Sequence, residues 1–119
     1  MMAWNKYHAK KINIQGETFD SMAEARRWRD LQWLQRGGVI HDLQRQVRFT
    51  LIPRQYDADG KTIERSLEYV ADFVYVDEHG ETIVEDVKGY KKGPAYTVFV
   101  IKRKLMLKVY GIRVQEVSR

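Results

Sequence analysis

The sequence predicts a mixed α+β domain, in which helices flank a central mixed, mostly antiparallel sheet and the core elements follow the order helix, three strands, helix and strand. Three observations lead to this fold class. Residues 22–36 and 97–110 have apolar side chains at helical spacing, and a glycine follows each stretch. Between these helices, three runs alternate apolar and polar side chains as half-buried strands do. A last alternating run covers residues 112–117.

The amino-terminal residues differ in character from the remainder. Residues 1–11 are polar and basic, so we expect a flexible arm ahead of a single domain that covers residues 12–119. The arm either settles on a phosphate backbone or has no role. Residues 11–14 are expected to form a short strand that closes at the turn Gln15-Gly16.

The first helix has clear ends. Ser21, with Glu24 three residues later, has the capping-box pattern, and the helix reads MAEARRWRDLQWLQR before Gly37-Gly38. At about 100° per residue, Glu24 falls on the apolar face of this helix, whose other members are Trp28, Leu31 and Leu34. Glu24 is therefore expected to face inward, and a structural role in the cap is compatible with a role in a site.

Two apolar runs follow the first helix. Residues 39–43 and 47–52 are both expected to be extended, and the second run ends at Pro53. Residues 54–65 are polar and are expected to form a connection, with a turn at 57–60.

The central prediction concerns a hairpin at residues 69–89, which read YVADFVYVDEHGETIVEDVKG. Gly80 suits the left-handed position of a three-residue loop. If Asp77 lies opposite Glu81, the register places Asp72 opposite Asp86. Opposed residues point to one side of a sheet, with Cβ atoms roughly 4.5–5.5 Å apart. Alternation then puts on the face of Asp72 the valines at positions 70, 74 and 76, and it sends Glu85 to the opposite face.

Two facing carboxylates indicate a cation. Asp72 and Asp86 would repel each other unless positive charge lies nearby. Lys88 shares their predicted face and supplies part of that charge, and a divalent cation with oxygen ligands would supply the rest. Each acid considered alone is more simply a polar residue on a half-exposed strand, so the hypothesis depends on the three residues together.

The second helix follows a basic loop at residues 89–94, which is a solvated connection or a place to grip a phosphate backbone. The helix is expected over residues 97–110, with Gly111 after it. Its apolar stripe is expected to be core and contains Val98, Ile101, Leu105 and Val109.

Composition limits the function classes. The chain has 119 residues, a net charge of +5 and no cysteine, so disulfides and thiolate zinc sites are excluded. No apolar run approaches the ~18 residues of a membrane span, and no secretory signal is evident. We therefore expect a cytoplasmic protein. No glycine-rich phosphate loop is present, so no nucleotide cofactor is expected, and the histidines lack metal-ligand spacing.

The positive charge favours an anionic partner, with nucleic acid the first candidate. The lysines expected to contact DNA lie in the arm, the basic loop and the second helix; they are Lys6, Lys10, Lys11, Lys91, Lys92, Lys102 and Lys104. A solvated helix face is the simpler explanation of the lysines in the second helix.

A family resemblance rests on these residues. Asp72, thirteen intervening residues and then Asp86-Val87-Lys88, with Glu24 on a preceding helix, resemble the PD-(D/E)xK nuclease signature. The chain departs from it at Ala71, where the signature has proline. More closely, the chain resembles a family of small phage and prophage proteins of unassigned function in the stretches NKYHAKK, FDSMAEARRW, LQRQVRF, YVADFVY, EDVKG and KRKLMLKVYG.

The resemblance implies a restriction-endonuclease-like core and a deoxyribonuclease that depends on Mg²⁺ or Mn²⁺. In that interpretation Asp72 and Asp86 bind the metal directly, the Val87 carbonyl is a further candidate ligand, and Glu24 contributes directly or through water. Lys88 would orient or deprotonate the attacking water and stabilise developing charge. The expected setting is phage DNA replication or recombination in the host bacterial cytoplasm.

Three function classes remain open at this point. The first is a metal-dependent DNA endonuclease, which could be selective for branched or junction DNA, as are the phage resolvases whose order of elements this chain resembles. The second is a catalytically weak DNA-binding protein that keeps the nuclease fold, and the third is a structural or host-interaction protein. Junction cleavage would need two active sites and hence a homodimer, for which the sequence gives no direct sign.

Overall fold

A computed structural model describes residues 11–89 and 91–118. The predicted arm lies outside the described residues, apart from Lys11, and so do Lys6 and Lys10. Two helices and eight strands occur within the described part: β1 (Ile12–Ile14), β2 (Glu17–Phe19), α1 (Met22–Arg36), β3 (His41–Ile52), β4 (Gln55–Tyr56), β5 (Thr62–Glu64), β6 (Leu67–Val76), β7 (Thr82–Lys88), α2 (Gly93–Tyr110) and β8 (Gln115–Ser118). The predicted mixed α+β class is confirmed, and α1, β3, β6, β7, α2 and β8 follow the predicted order.

The central sheet has four strands in the order β3-β6-β7-β8. Strands β3, β6 and β7 pair in antiparallel fashion, and β8 pairs with β7 in parallel. The parallel pairing needs a long crossover, which α2 provides. Two small hairpins, β1–β2 and β4–β5, complete the described structure.

The first helix has the predicted bounds. Ser21 is its N-cap, and its hydroxyl oxygen accepts a hydrogen bond from the Glu24 backbone N–H at 3.1 Å. The Glu24 carboxylate accepts from the backbone N–H of Asp20 at 3.3 Å, one residue before the cap. Only 3% of Glu24 is exposed, so the prediction that it faces inward is confirmed.

The second helix begins four residues before its predicted start. Gly93 is its first residue, and Pro94 lies in the first turn, where a missing backbone N–H leaves no hydrogen bond unmade. Gly111 ends the helix in the left-handed conformation, with φ of 69°. The basic loop is therefore shorter than expected, because its last two residues are already helical.

The apolar stripe predicted for α2 is largely wrong. Val98, Ile101 and Val109 are 49–52% exposed, and the helix instead buries Phe99 and Met106 against the sheet. Leu105, the fourth predicted residue, does pack against this core. Apolar side chains occur around most of the circumference of α2, so helical periodicity alone could not identify the buried face.

Each helix covers one face of the sheet and contributes to a separate core. On the α2 face the buried residues are Leu51, Tyr69, Ala71, Val74, Val84, Phe99, Met106 and Val114. On the α1 face they are Leu31, Ile40, Phe73 and Tyr75. The two faces of β6 and β7 therefore have different environments.

The alternation of β6 changes phase at Asp72. Phe73 packs on the α1 face, as alternation from Tyr75 requires, but Ala71 packs on the α2 face together with Val74. The predicted alternation is therefore wrong on the amino-terminal side of Asp72, where Val70 is 38% exposed.

Strand β3 changes phase at the matching position. Arg45 pairs with Phe73 and Val47 pairs with Ala71, while the ladder leaves out Gln46 and Asp72 between them. Gln46 has φ of 52°, a backbone conformation that residues other than glycine rarely adopt. This residue turns the strand, so that Arg45 faces α1 and Val47 faces α2.

Two further expectations need correction. The runs at 39–43 and 47–52 join in one long strand, β3, which begins at His41. The polar connection at 54–65 contains the short hairpin β4–β5 around the expected turn, where Gly60 donates to the Asp57 carbonyl oxygen at 3.1 Å. Strands of two and three residues are too short to show alternation. None of the helices described here is long and apolar enough to cross a membrane.

Candidate active site

The predicted acids and lysine meet in an open cleft between the sheet and the start of α2. The cleft is about 340 Å³ in volume. Its walls come from the segment before α1, from β3, β6, β7 and from α2, and its lining residues are Asp20, Gln46, Tyr69, Val70, Asp72, Asp86, Lys88, Ala95, Val98, Phe99 and Lys102. It lies where β3 and β6 change phase.

Asp72 lies where β6 separates from β7. The predicted register is confirmed, because Asp77 donates to the Glu81 carbonyl oxygen at 2.9 Å and Phe73 pairs with Glu85. The ladder stops at that pair, one step before the predicted pair of aspartates. One Asp72 carboxylate oxygen instead accepts the Val87 backbone N–H at 2.8 Å, so a side chain takes the place of the next ladder bond.

Asp86 is buried in the wall of the cleft, with 5% of its surface exposed. The Tyr69 hydroxyl donates to its Oδ2 at 2.6 Å. The Lys88 Nζ lies 3.4 Å from its Oδ1 and 4.0 Å from the centre of the Phe99 ring, which holds the ammonium by a cation–π contact. Burial and the neighbouring Asp86 raise the pKa of the Tyr69 hydroxyl, so Tyr69 remains a donor.

The two aspartates act as one unit. Burial, the hydrogen bond with Asp86 and its charge raise the pKa of Asp72 to about 8, although the Val87 N–H opposes this change. The charged form of Asp72 is therefore disfavoured in this position, and a nearby cation would favour it.

Glu24 is joined to this pair through Gln46. The Gln46 Nε2 atom lies 3.3 Å from Glu24 Oε1 and 3.3 Å from Asp72 Oδ1. We call this arrangement the amide bridge. The Arg45 guanidinium lies 3.5 Å from the same Glu24 oxygen. Burial raises the pKa of Glu24, while the Asp20 backbone N–H and Arg45 act in the opposite direction.

The donor set suits a hard cation only in part. Asp72 and Asp86 both present carboxylate oxygens to the cleft, and hard divalent cations prefer oxygen ligands. Glu24 is kept from them by the amide bridge. Among residues 11–89 and 91–118, no group of three or more acidic, histidine or cysteine side chains is arranged to hold a metal ion. The Val87 backbone N–H donates to Asp72, and ligation of a metal by the Val87 carbonyl stays a prediction.

Glu85 lies on the other face of the sheet, as alternation predicts. Two nitrogens of Arg27 donate to its two carboxylate oxygens at 2.7 and 2.6 Å, and the Tyr75 hydroxyl donates to one of them. Only 1% of Glu85 is exposed. This carboxylate is fully paired and does not reach the cleft.

Of the five described lysines predicted to contact DNA, Lys102 lines the cleft. Lys11 is near the rim, because its Nζ lies 3.4 Å from Asp20, which also lines the cleft. Lys91 and Lys92 are exposed just before α2. Lys104 lies instead in a hollow formed by α2 and the segment around β8.

Sequence reasoning missed two side chains in the cleft. Tyr69 was not recognised, because uninterrupted alternation places it on the face opposite Asp72. Gln46 lies between the two predicted runs at residues 39–43 and 47–52, and its positive φ has no signature in the sequence. The one available signal for a further residue in the site was the position of Tyr69, three residues before Asp72.

Comparison with known families identifies the chain by sequence. Residues 4–118 match a family described as "Protein of unknown function (DUF1064)", so the chain belongs to that family. No curated protein and no solved structure gives a significant match.

Proposed function

We propose that this DUF1064 protein is a metal-dependent deoxyribonuclease of the PD-(D/E)xK type, which hydrolyses phosphodiester bonds. The observation that carries the proposal is the meeting of Asp72, Asp86 and Lys88 in one open cleft, with Glu24 one amide bridge away. Four residues from α1, β6 and β7 gather at the point where the sheet loses its regular pairing. Irregular backbone that positions polar groups is typical of functional sites.

Asp72 and Asp86 would hold Mg²⁺ or Mn²⁺, with Glu24 and the Val87 carbonyl as the remaining candidate ligands. When bound, such an ion lowers the pKa of water and stabilises negative charge on a phosphate. The raised pKa of Asp72 supports this assignment, because burial beside a second carboxylate disfavours its charged form and a bound cation would favour it.

Lys88 is the proposed catalytic cation. Its Nζ stands 3.4 Å from Asp86 Oδ1 and over the Phe99 ring, and 23% of its side chain is exposed. From there it can orient or deprotonate the attacking water and stabilise charge on the phosphate. The hydrogen bond that the Tyr69 hydroxyl donates positions the Asp86 carboxylate.

DNA would approach from the open side of the cleft. Lys102 in the wall, Lys11 at the rim and the exposed Lys91 and Lys92 would contact the phosphate backbone, largely without reading sequence. Lys6 and Lys10 extend this assignment to the arm. Lys104 lies on another surface and has the weakest support.

The proposed setting is DNA replication or recombination of a phage or prophage, in the cytoplasm of the bacterial host. Cleavage of branched or four-way-junction DNA fits the resemblance to phage resolvases. A junction-cleaving form would act as a homodimer, with one cleft for each cut.

Two other functions are separated from this one by specific results. A DNA-binding protein that retains only the fold would bind DNA and metal without cleavage. A structural or host-interaction protein would show no change in thermal stability with divalent ions, because its acids would serve only as ion-pair partners.

The deciding experiment is cleavage of linear, single-stranded, flapped and four-way-junction DNA with Mg²⁺, with Mn²⁺ and with EDTA. Asp86→Asn and Asp86→Ala would be assayed beside Asp59→Asn, an acid in an exposed turn. We expect cleavage that needs the ion, vanishes in the Asp86 variants and survives in Asp59→Asn. DNA binding without cleavage of any substrate would reject the nuclease in favour of the binding protein.

A further inference from the structure

The amide bridge lies between two of the candidate metal ligands, Glu24 and Asp72. The Gln46 Nε2 atom is equidistant, at 3.3 Å, from one oxygen of Glu24 and one of Asp72. Its two hydrogens satisfy two acceptors that would otherwise face each other with like charge. An amide nitrogen is the only end of this side chain that fits, because its oxygen would repel both carboxylates.

The backbone at Gln46 holds the side chain there. Its φ of 52° is unfavourable for a residue with a Cβ, and it is the same turn that reverses the faces of β3. Between the pairs Arg45–Phe73 and Val47–Ala71, the ladder of β3 and β6 leaves out Gln46 and Asp72. Ladder pairing therefore does not hold either side chain to one face of the sheet, and the Gln46 amide donates to the Asp72 carboxylate.

We propose that Gln46 is a stand-in for the cation: it keeps Glu24 and Asp72 apart from an incoming divalent ion and so lowers the affinity of the site for that ion. This inference depends on the metal site of the proposed function. The carboxamide competes for the carboxylate lone pairs that an ion would use. Glu24 can join Asp72 and Asp86 around an ion only after the amide bridge opens.

The proposal explains why the described residues contain no complete three-acid cluster although three acids lie near one another. With the amide bridge closed, Asp72 and Asp86 form a pair and Glu24 is bound to Gln46 and Arg45. Opening the bridge would release Glu24 as a third oxygen ligand.

The test is the affinity for Mn²⁺, measured by calorimetry on the whole chain at fixed pH. Gln46→Met keeps the length of the side chain and removes the amide. Because the amide bridge is lost only from the metal-free form, and a typical hydrogen bond has a net worth of about this size, we expect the dissociation constant to fall about three- to tenfold. Gln44→Met, on an exposed glutamine of the same strand, is the matched control and should leave the affinity unchanged.

A second measurement is thermal unfolding without and with the ion. Without Mn²⁺, Gln46→Met should unfold at a lower temperature than the wild type, and added Mn²⁺ should raise its unfolding temperature by a larger amount. Should Gln46→Met fail to fold, Gln46→Asn tolerates the positive φ and is too short to reach both acids. It is expected to bind Mn²⁺ more tightly in the same way.

The outcomes separate the two proposals. Weaker binding in the Gln46 variants would make Gln46 a ligand, and unchanged binding would make it a bystander; either result overturns the inference while leaving the metal site intact. Absence of Mn²⁺ binding in the wild type and in every Gln46 variant would overturn both. Binding that appears only in the variants would support the inference strongly.

Discussion

Strand β7 carries two adjacent buried carboxylates, and their negative charges are compensated to very different extents. Glu85 on the α1 face has two hydrogen bonds from Arg27 and one from Tyr75. Asp86 on the α2 face has one from Tyr69 and a looser contact with Lys88, while a second acid, Asp72, lies beside it.

The difference separates a structural acid from a candidate functional acid. Both residues are at least 95% buried, so burial does not distinguish them. Around Glu85 the positive and negative charges balance, and nothing is left to bind. Around Asp86 there are more acids than cations, and the surplus opens on a cleft. A buried carboxylate with incomplete compensation is the better sign of a binding site.

The strongest way to break this comparison is to remove the partner of Glu85. Arg27→Leu would leave a buried charge unpaired, and we expect a loss of roughly 3–5 kcal/mol in the free energy of unfolding. Urea denaturation measures it. Arg29→Leu, which removes an exposed arginine from the same helix, should change stability by less than about 1 kcal/mol. Equal small effects would contradict a structural role for the Arg27–Glu85 pair.

The second-largest expected effect is on catalysis and concerns Lys88 on the α2 face. Lys88→Ala is expected to reduce cleavage about 10²- to 10³-fold, because the charge that stabilises the transition state is lost. Its affinity for Mn²⁺ should change little, since the two aspartates remain. Kinetics and calorimetry on the same preparation measure the two quantities. Parallel losses of metal affinity and of activity would refute the role assigned to Lys88.

A smaller effect concerns the pH dependence of stability. The pKa of Asp72 is about 8 in the folded chain, above its value of about 4 in the unfolded chain. The folded form thus binds more protons between these values, so the stabilisation from this proton is complete below about pH 4 and is lost as the pH rises through about 8. The groups that face Asp72 are Asp86, Glu24 and, beyond Asp86, Lys88.

We therefore expect Asp72→Asn to be more stable than the wild type by about 1–2 kcal/mol at pH 8 in EDTA, because a like charge is gone. The advantage should shrink towards pH 5, where the wild-type carboxyl is protonated. Thermal unfolding across that range measures it. A constant difference between the two proteins at every pH would show that Asp72 does not titrate in this window.

The smallest expected effect is on DNA affinity and tests which surface the DNA approaches. Lys102→Ala removes one cation from the cleft, and we expect DNA affinity to fall a few-fold and the slope of log affinity against log salt to decrease by about one. Lys104→Ala removes the same charge from the same helix on another surface and serves as the control. Fluorescence anisotropy over a salt series measures both. Equal losses would place the DNA away from the cleft.

Much of this fold follows from local sequence signals. The ends of α1 were predicted because Ser21 and the two glycines after Arg36 act within a few residues. The register of the β6–β7 hairpin was predicted because its loop is short and closes on Gly80. These two elements bring Glu24, Asp72, Asp86 and Lys88 to one region.

The errors have a physical cause in longer-range packing. Alternation was carried through Asp72 as if β6 were regular, but the turn at Gln46 in a different strand changes its phase. The face that α2 buries depends on the sheet beneath it, because both of its candidate faces are apolar. Neither fact is present in the residues nearby.

The matched change of phase in β3 and β6 also constrains how this chain can vary in length. A one-residue deletion just after Gln46 would turn the rest of β3 over, exposing Phe49 and Leu51 and driving polar residues into the core. A compensating deletion in β6 would have to occur at the same level of the sheet. Insertions and deletions should therefore be tolerated in the β4–β5 hairpin and at the Gly80 loop, while the two strands keep a fixed count of residues on either side of the cleft.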